Sequence, residues 1–510
     1  MIVFERALTN TIDSMRRFSH PFAAVLAGAL TPLGIAPFHF SWLAIITLSV
    51  LAFLLHRQLS KKQLLLRTFL FGLGYFGVGA SWVFISIYHF GSASLPLALL
   101  LTTLFVTFVA LVFALPFTVL HYFQVNQWRL LLGFPLVWGF SEWLRSWIFT
   151  GFPWAYIGYS QLQTPLVGWA PVGGIFLLGL FCALSSSVLY LLFIKHINLK
   201  YKWLSAVAVM IIWAQGLALT SFEWTEPAGK GIKVGIVQPN IPQELKWSPD
   251  YRQPTLNILE GLSDELWQQD WIIWPEAAVP DVYSRAEDFI AKVHRRAQQT
   301  QTSLLTGILY DDDQQQKYFN SMIGLGDARG IYFKQRLVPF GEYVPLEAWL
   351  RGLIQFFDLP TSVIAPGMAN QALIQAGNYT IASAICYEIV YPSLVAKQAR
   401  YAHAIITISN DAWFGHSIGP LQHFHMARMR AIETGRYLVR STNNGISAII
   451  DKKGNIIEQS DQFVRTYSTG EIIPMEGNTP YIIWQNTLFL ALLALMAVLL
   501  CAFETSNRRR

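Results

Sequence analysis

Charge is the scarcest ingredient of this sequence. Only 13% of its 510 residues are Asp, Glu, Lys or Arg, whereas an average soluble chain carries about 25%, and this shortage excludes a single ordinary soluble domain. Acidic residues are rarest in the first part. Residues 1–222 hold 3 Asp/Glu against 12 Lys/Arg, while residues 223–480 hold 27 against 22. The chain is two physical objects in series, and because the surplus positive charge lies in the apolar part, the net +6 gives no reason to expect nucleic acid as a partner. Cysteine is nearly absent too. Cys182, Cys386 and Cys501 are too few for a disulfide scaffold. Internal repeats, low-complexity tracts and metal-ligand spacings are also missing, so no metal or cofactor is expected. His423 and His425 stand two apart on an expected helix, which points them to different faces and suits core or solvent roles better than ligation.

What the sequence has in abundance is long apolar runs. A helix needs about 17 to 25 such residues to cross a bilayer while satisfying its own backbone. Eight runs qualify, near Pro21–Pro37, Phe40–Leu55, Thr68–Phe90, Leu95–Leu120, Leu130–Phe149, Leu166–Ile194, Trp203–Phe222 and Ile482–Phe503. The first follows Arg16 and Arg17 as a signal peptide would, but no small-residue cleavage pattern follows it, so it reads as a helix. Basic residues fall in every second connection, at Arg6, Arg16 and Arg17, at Arg57, Lys61, Lys62 and Arg67, at Arg129, at Lys195, Lys200 and Lys202, and at Arg508–Arg510. Short basic loops mark the cytoplasmic side. The pattern predicts a membrane domain over 1–222 with seven helices, an outward domain over 223–480, and an eighth helix with a basic tail over 481–510. Both termini would then be cytoplasmic. Glu142 and Arg145 share one helix face; charges at membrane depth are functional candidates, and the plainer reading is an ion pair at a helix end.

From Lys233 onward short strands alternate with helical stretches, which predicts an α/β sandwich. Expected strands are Lys233–Gln238, Trp271–Trp274, Ser303–Leu309, Ser321–Leu325, Ile331–Arg336, Thr380–Ile385, Ala404–Ser409, Tyr437–Ser441 and Ile446–Ile450. Expected helices are Asn257–Gln268, Ala286–Gln299 and Leu421–Glu433. Chemistry-bearing residues gather where strands end. Glu276 follows Trp274-Pro275, Lys334 follows Ile331-Tyr332-Phe333, and Cys386 follows Ile381–Ile385 and precedes Tyr387-Glu388. Singly, each has a plain reading, since free Cys is commonly core and surface carboxylates and ammoniums commonly pair. Together they supply a thiol, a base and a cation, the parts needed for acyl transfer through a thioester.

Four motifs in this order, Trp274-Pro275-Glu276-Ala277-Ala278, Leu337-Val338-Pro339-Phe340-Gly341-Glu342-Tyr343-Val344-Pro345, Ile385-Cys386-Tyr387-Glu388 and Asn410-Asp411-Ala412-Trp413-Phe414-Gly415, resemble the carbon–nitrogen hydrolase (nitrilase) superfamily. The branch they resemble is that of the membrane-embedded apolipoprotein N-acyltransferases of bacteria. The resemblance implies an αββα nitrilase-like domain on the periplasmic side of the inner membrane, beside a multi-pass helical domain of eight transmembrane helices. It also implies a Glu276-Lys334-Cys386 triad. Glu276 would take the thiol proton as Cys386 attacks the sn-1 ester of a phospholipid. Lys334 and a backbone N–H near Tyr387 would hold the oxyanion. The acyl chain would pass to the α-amine of a diacylglyceryl-cysteine at an apolipoprotein's N-terminus. Glu342 and Glu388 would support the site.

An acyl-chain substrate places the reaction at the bilayer surface, among membrane lipids, and a monomer is expected. The apolar stretch containing Trp349, Arg351, Phe356 and Phe357 reads as an interfacial lid with Gly352 as a hinge. Arg351 suits either a lipid phosphate or solvent, and Trp247 and Trp413 suit either the acyl pocket or plain packing. Two other classes stand against this reading: a membrane-tethered amidase with water as second acceptor, and a transport or binding protein. The scarcity of polar residues in the apolar runs argues against transport.

Overall fold

A computed structural model describes residues 19–91, 93–312, 314–339, 341–343 and 364–508. These fall into two compact units, one of residues 19–81, Leu99–Phe222 and 486–508, the other of Trp82–Ala98 and Glu223–Gln485. The segment Trp82–Ala98 groups with the second unit although it lies among the apolar runs.

The first unit is helical. Four helices are long and apolar enough to cross a membrane: Leu95–Tyr122, Pro165–Phe193, Leu199–Leu219 and Thr487–Ser506; Lys61–Gly79 with Trp82–Phe90 makes a fifth if read as one broken span. The eight expected spans are thus not all present as single long helices among the described residues. Ser41–Leu55 has 15 residues, and in the Leu130–Phe149 run a wide helical turn at Arg129–Gly133 continues directly into Phe134–Arg145, with a separate short turn at Ile148–Thr150. An apolar run fixes what can be buried in lipid, but the left-handed Phe149 (φ 51°) lies beyond the last helical turn, so the helix stops short of the run's end. Lys61–Gly79 begins with a capping box, in which Ser60 Oγ accepts from Gln63 N and Gln63 Oε1 accepts from Ser60 N. It packs closely against the helix of residues 19–30. A Cβ on Gly74 would stand 2.2 Å from the Val25 carbonyl oxygen, the small-residue contact by which apolar helices associate.

In the same unit Glu142 and Arg145 are both buried. They do not form the expected ion pair. Glu142 Oε1 accepts from Ile157 N at 2.7 Å, Arg145 Nη1 donates to Trp154 O at 3.0 Å, and the guanidinium lies over the Phe76 and Tyr156 rings. Each charge is spent on the irregular loop that follows the helix, whose main-chain groups have no helical partner.

The second unit holds fifteen described strands. β1 (Glu226–Pro227) pairs with β15 (Met475–Glu476). One sheet contains β2 (Ile232–Gln238), β3 (Trp271–Ile273), β4 (Ser303–Asp312), β5 (Lys317–Gly326), β7 (Ile331–Phe333) and β14 (Thr466–Ile472), in the order β14-β2-β3-β4-β5-β7. The other contains β6 (Ala328–Arg329), β8 (Ile374–Ala376), β9 (Tyr379–Ile385), β10 (Ala404–Ser409), β11 (Leu438–Thr442), β12 (Ala448–Ile450) and β13 (Ile456–Gln459), in the order β13-β12-β11-β10-β9-β8-β6. The centre of each sheet is parallel, β2-β3-β4 in one and β9-β10-β11 in the other.

The two sheets face each other across an apolar layer that includes Val234, Ile236, Ile273, Ile381, Ile406 and Val439. Helices Pro249–Ser263 and Tyr283–Gln299 cover the first sheet through Leu256, Leu259, Ile290 and Val293. Helices Pro392–Ala399 and Gly419–Thr434 lie against β9 and β11 of the second. The result is the expected αββα sandwich. Its parallel strands all deliver their carboxyl ends to one edge, the usual position of an α/β site.

Local boundaries differ from expectation for identifiable reasons. β7 stops at Phe333 and not at Arg336, because the amides of Gln335 and Arg336 turn away to donate to Glu388. The first helix runs Pro249–Ser263 and not Asn257–Gln268; Pro249 opens it, and the Ser263 hydroxyl bonds back to Leu259 O while accepting from Trp274 Nε1.

Candidate active site

Glu276 sits on a turn that β4 supports. Beyond β3, Trp274 N donates to Leu305 O, Gly307 N donates to Pro275 O, and Ala278 N donates to Gly307 O. Ala277 takes a left-handed φ of 44°. A Cβ on Gly307 would stand 2.5 Å from Ala277 N and 2.8 Å from Pro275 O, so only glycine lets the turn lie flat on β4.

The carboxylate thus delivered is 7% exposed. Its Oε1 accepts from Lys334 Nζ at 3.2 Å and Asn320 Nδ2 at 2.8 Å, and its Oε2 accepts from Asn410 N at 2.9 Å. Lys334 Nζ also donates to Glu342 Oε1 at 2.9 Å, and Asn320 Nδ2 reaches that same oxygen at 2.9 Å. Glu342 Oε2 accepts from Val338 N. One buried ammonium is therefore shared by two carboxylates that a single amide side chain also bridges. Burial pushes the Glu276 carboxyl up, but Lys334, Lys246 and the hydrogen bonds outweigh it and hold it below the usual range. Burial likewise pulls Lys334 down, and Glu276 and Glu342 outweigh that, so the ammonium is held charged.

Cys386 follows β9 at the start of the short turn Cys386–Val390, with φ 52°. This left-handed conformation is costly for a residue with a Cβ. The thiol is partly buried. Loss of hydration pushes it up to about 12; the Glu276 and Asp411 charges add to this, while Lys334 and a hydrogen bond with Ser409 oppose it. Glu276 and Lys334 thus lie within electrostatic reach of the Cys386 thiol. The structure therefore gathers the three residues from the ends of β3, β7 and β9.

Glu388 is fully buried two residues on. Oε1 accepts from Tyr332 OH, Gln335 N and Arg336 N, and Oε2 accepts from Ile385 N at 2.9 Å. It laces the end of β7 to the end of β9. Burial raises its carboxyl to about 7 against those donors. Tyr387 is buried with its ring 5.3 Å from that of Tyr391. Trp247 is 39% exposed, and Trp413 packs against Phe90, with its carbonyl accepting from Ser86 Oγ. Trp349, Arg351, Phe356 and Phe357, with the proposed hinge Gly352, lie outside the described residues.

Three contributors escaped the sequence reading. Asn320 shows only as a polar residue inside the apolar strand β5. Lys246 is buried, donates to Glu276 O at 3.0 Å, and is lowered to about 8 by burial, with Glu276 and Cys386 opposing. The third is His423, a core residue as its spacing suggested, but one whose Nε2 lies 3.1 Å from Cys386 O. A carbonyl oxygen only accepts, so Nε2 carries the proton. Nδ1 faces Asp411 Oδ1 at 3.1 Å and Arg440 Nη2 at 3.0 Å, and Arg440 Nη2 donates to Asp411 Oδ2 at 2.7 Å. Burial and Arg440 lower His423, while Asp411 and the bond to Cys386 O oppose them. A charge cluster that is buried on every side thus ends on the main chain of the strained cysteine. Among the described residues no group of His, Cys, Asp and Glu is arranged to hold a metal ion.

Comparison with known proteins decides the family. Residues 27–188 match the apolipoprotein N-acyltransferase N-terminal domain, and residues 233–479 match the carbon-nitrogen hydrolase family. Apolipoprotein N-acyltransferase of Pseudomonas aeruginosa is 43% identical over 509 residues, which cover 97% of this chain and 99% of that protein. The chain belongs to the apolipoprotein N-acyltransferase family. The member from Azotobacter vinelandii is 44% identical over 95% of both chains, and that from Coxiella burnetii is 40% identical over 90% of this chain and 95% of its own. The N-acyltransferase match spans both units, so the acid, ammonium and thiol described above belong to a family whose nitrilase-like domain is joined to an apolar helical one.

Proposed function

We propose that the protein N-acylates bacterial lipoproteins at a membrane surface, with Glu276, Lys334 and Cys386 as its catalytic residues. What carries the reading is a partly exposed thiol on a strained turn, beside a buried carboxylate that Lys334 and Asn410 hold ionised. As Cys386 Sγ bonds to the sn-1 ester carbon of a phospholipid, Glu276 takes the thiol proton, and Lys334 with a main-chain N–H near Tyr387 stabilises the oxyanion. The ester C–O bond then breaks and Glu276 returns the proton to the departing lysophospholipid. The α-amine of a diacylglyceryl-cysteine next attacks the thioester. Its C–S bond breaks, the acyl chain stays on nitrogen, and the amine proton returns to sulfur by way of Glu276.

A thiol raised to about 12 beside a base held low yields almost no free thiolate. Deprotonation by Glu276 then accompanies C–S bond formation. Glu342 positions Lys334 and Glu388 ties together the strand ends. Trp247 and Trp413 contact the acyl chain. The proposed topology has eight spans over 1–222 and 481–510, cytoplasmic termini, and residues 223–480 as a periplasmic domain of a monomeric inner-membrane protein.

The test is intact mass spectrometry of the protein mixed with phosphatidylethanolamine alone. One acyl chain added on Cys386, discharged by a diacylglyceryl-cysteine peptide, is the expected result. No adduct, an adduct elsewhere, or release of free fatty acid without the peptide, as a water-using amidase would give, overturns the reading.

A further inference from the structure

The helical unit contains a cavity of about 730 Å³ whose wall includes His56, Arg57, Tyr190, Phe193, His196 and Phe53. The rings of His56 and His196 lie 6.1 Å apart. Behind them Arg129, 2% exposed, donates from Nη1 to Arg57 O at 3.4 Å, and its Nη2 has no partner among the described residues. His56 Nδ1 lacks one as well. The basic groups facing His56 are His196, Arg129 and Arg57, and no carboxylate among the described residues faces it. The described acids of this unit are engaged elsewhere, Glu142 on Ile157 N and Glu504 on Gln124 N.

A buried guanidinium without an anion is costly, and a second guanidinium, Arg57, at the same cavity compounds the cost. An anion relieves it. Phe53 and Phe193, 47% and 76% exposed, extend the cationic wall into an apolar one, which suits an anion attached to hydrocarbon better than a free ion. Basic pockets between apolar helices bind lipid headgroups on these terms.

We propose that this cavity seats the phosphate of a glycerophospholipid, with the acyl chains running over Phe53 and Phe193. None of its residues belongs to the Glu276 site, so the lipid held here is a resident molecule and not the acyl donor.

Native mass spectrometry of the full-length protein in detergent tests this with three probes: ether-linked phosphatidylglycerol, which cannot donate an acyl chain, diacylglycerol, and inorganic phosphate. The wild-type protein should retain one phosphatidylglycerol more than the R57Q/H196Q variant, and the variant should bind that molecule about fivefold more weakly, the worth of one guanidinium near a lipid surface. N-acyltransferase activity unchanged in the variant certifies its fold; should the variant misfold, R129Q replaces it with the same expectation. Equal retention by wild type and variant overturns the proposal, as does diacylglycerol binding as well as phosphatidylglycerol. Displacement of the lipid by millimolar inorganic phosphate assigns the site to a free anion and overturns it too.

Discussion

The helical unit and the sandwich each bury an acid and a base in close quarters, and they use them in opposite ways. Glu142 and Arg145 are neighbours on one helix, yet each bonds to main-chain groups of the following loop. Glu276 and Lys334 lie far apart in sequence, yet they meet directly at 3.2 Å, and Lys334 and Asn320 each bridge Glu276 to Glu342. A charge bonded to backbone fixes a chain path. A charge bonded to another titratable side chain sets that partner's protonation, and only this arrangement can pass a proton.

The comparison breaks first at Lys334. Lys334→Met should leave Glu276 and Glu342 facing each other uncompensated and slow acyl-enzyme formation on the order of a hundred- to a thousandfold, measured by the time course of the mass adduct. In the helical unit, Arg145→Met should leave the acylation rate of folded protein unchanged; a comparable loss there would erase the distinction.

A smaller effect is expected at His423. His423→Leu removes the donor to Cys386 O and should slow acylation about tenfold, the worth of one buried hydrogen bond. His423→Gln keeps an N–H and should recover most of it, with KM for the lipid unaltered in both. Equal loss in the two variants would reduce His423 to packing.

Glu388 sharpens the contrast through pH. Its carboxyl is raised to about 7, above the unfolded value of about 4.3. Between those values the folded chain keeps a proton that the unfolded chain releases, so this residue's contribution to stability falls as pH rises from about 4.3 to about 7. Thermal unfolding of Glu388→Gln across that range should show a flatter profile than wild type. The smallest effect is at Glu142. Glu142→Gln should lower the unfolding temperature by a few degrees, for a cost of about 1–3 kcal/mol, with acylation by the surviving protein intact.

Much of the sandwich was legible because buried parallel strands such as Ala404–Ser409 read as unbroken β-branched runs with polar stops. Two-residue strands like β6 carry no period to detect, and β14 hides because its inward and outward residues are both mixed. The grouping of Glu276, Lys334 and Cys386 was legible in motifs at strand ends. Asn320, Lys246 and His423 were not, because their partners are set by sheet register and by helix packing, which no local spacing encodes. Helix length within the apolar runs was not legible for a related reason: composition says which residues tolerate lipid, while left-handed residues and irregular turns decide how much of each run is one helix.

Gly307 carries no chemistry, yet the acid's turn rests on it. A screen for dead alleles would return this position alongside the catalytic ones, since any larger side chain dislodges Glu276 while every reacting group stays in the gene. Such an allele would mimic loss of the base, and no second change at the acid itself would repair it.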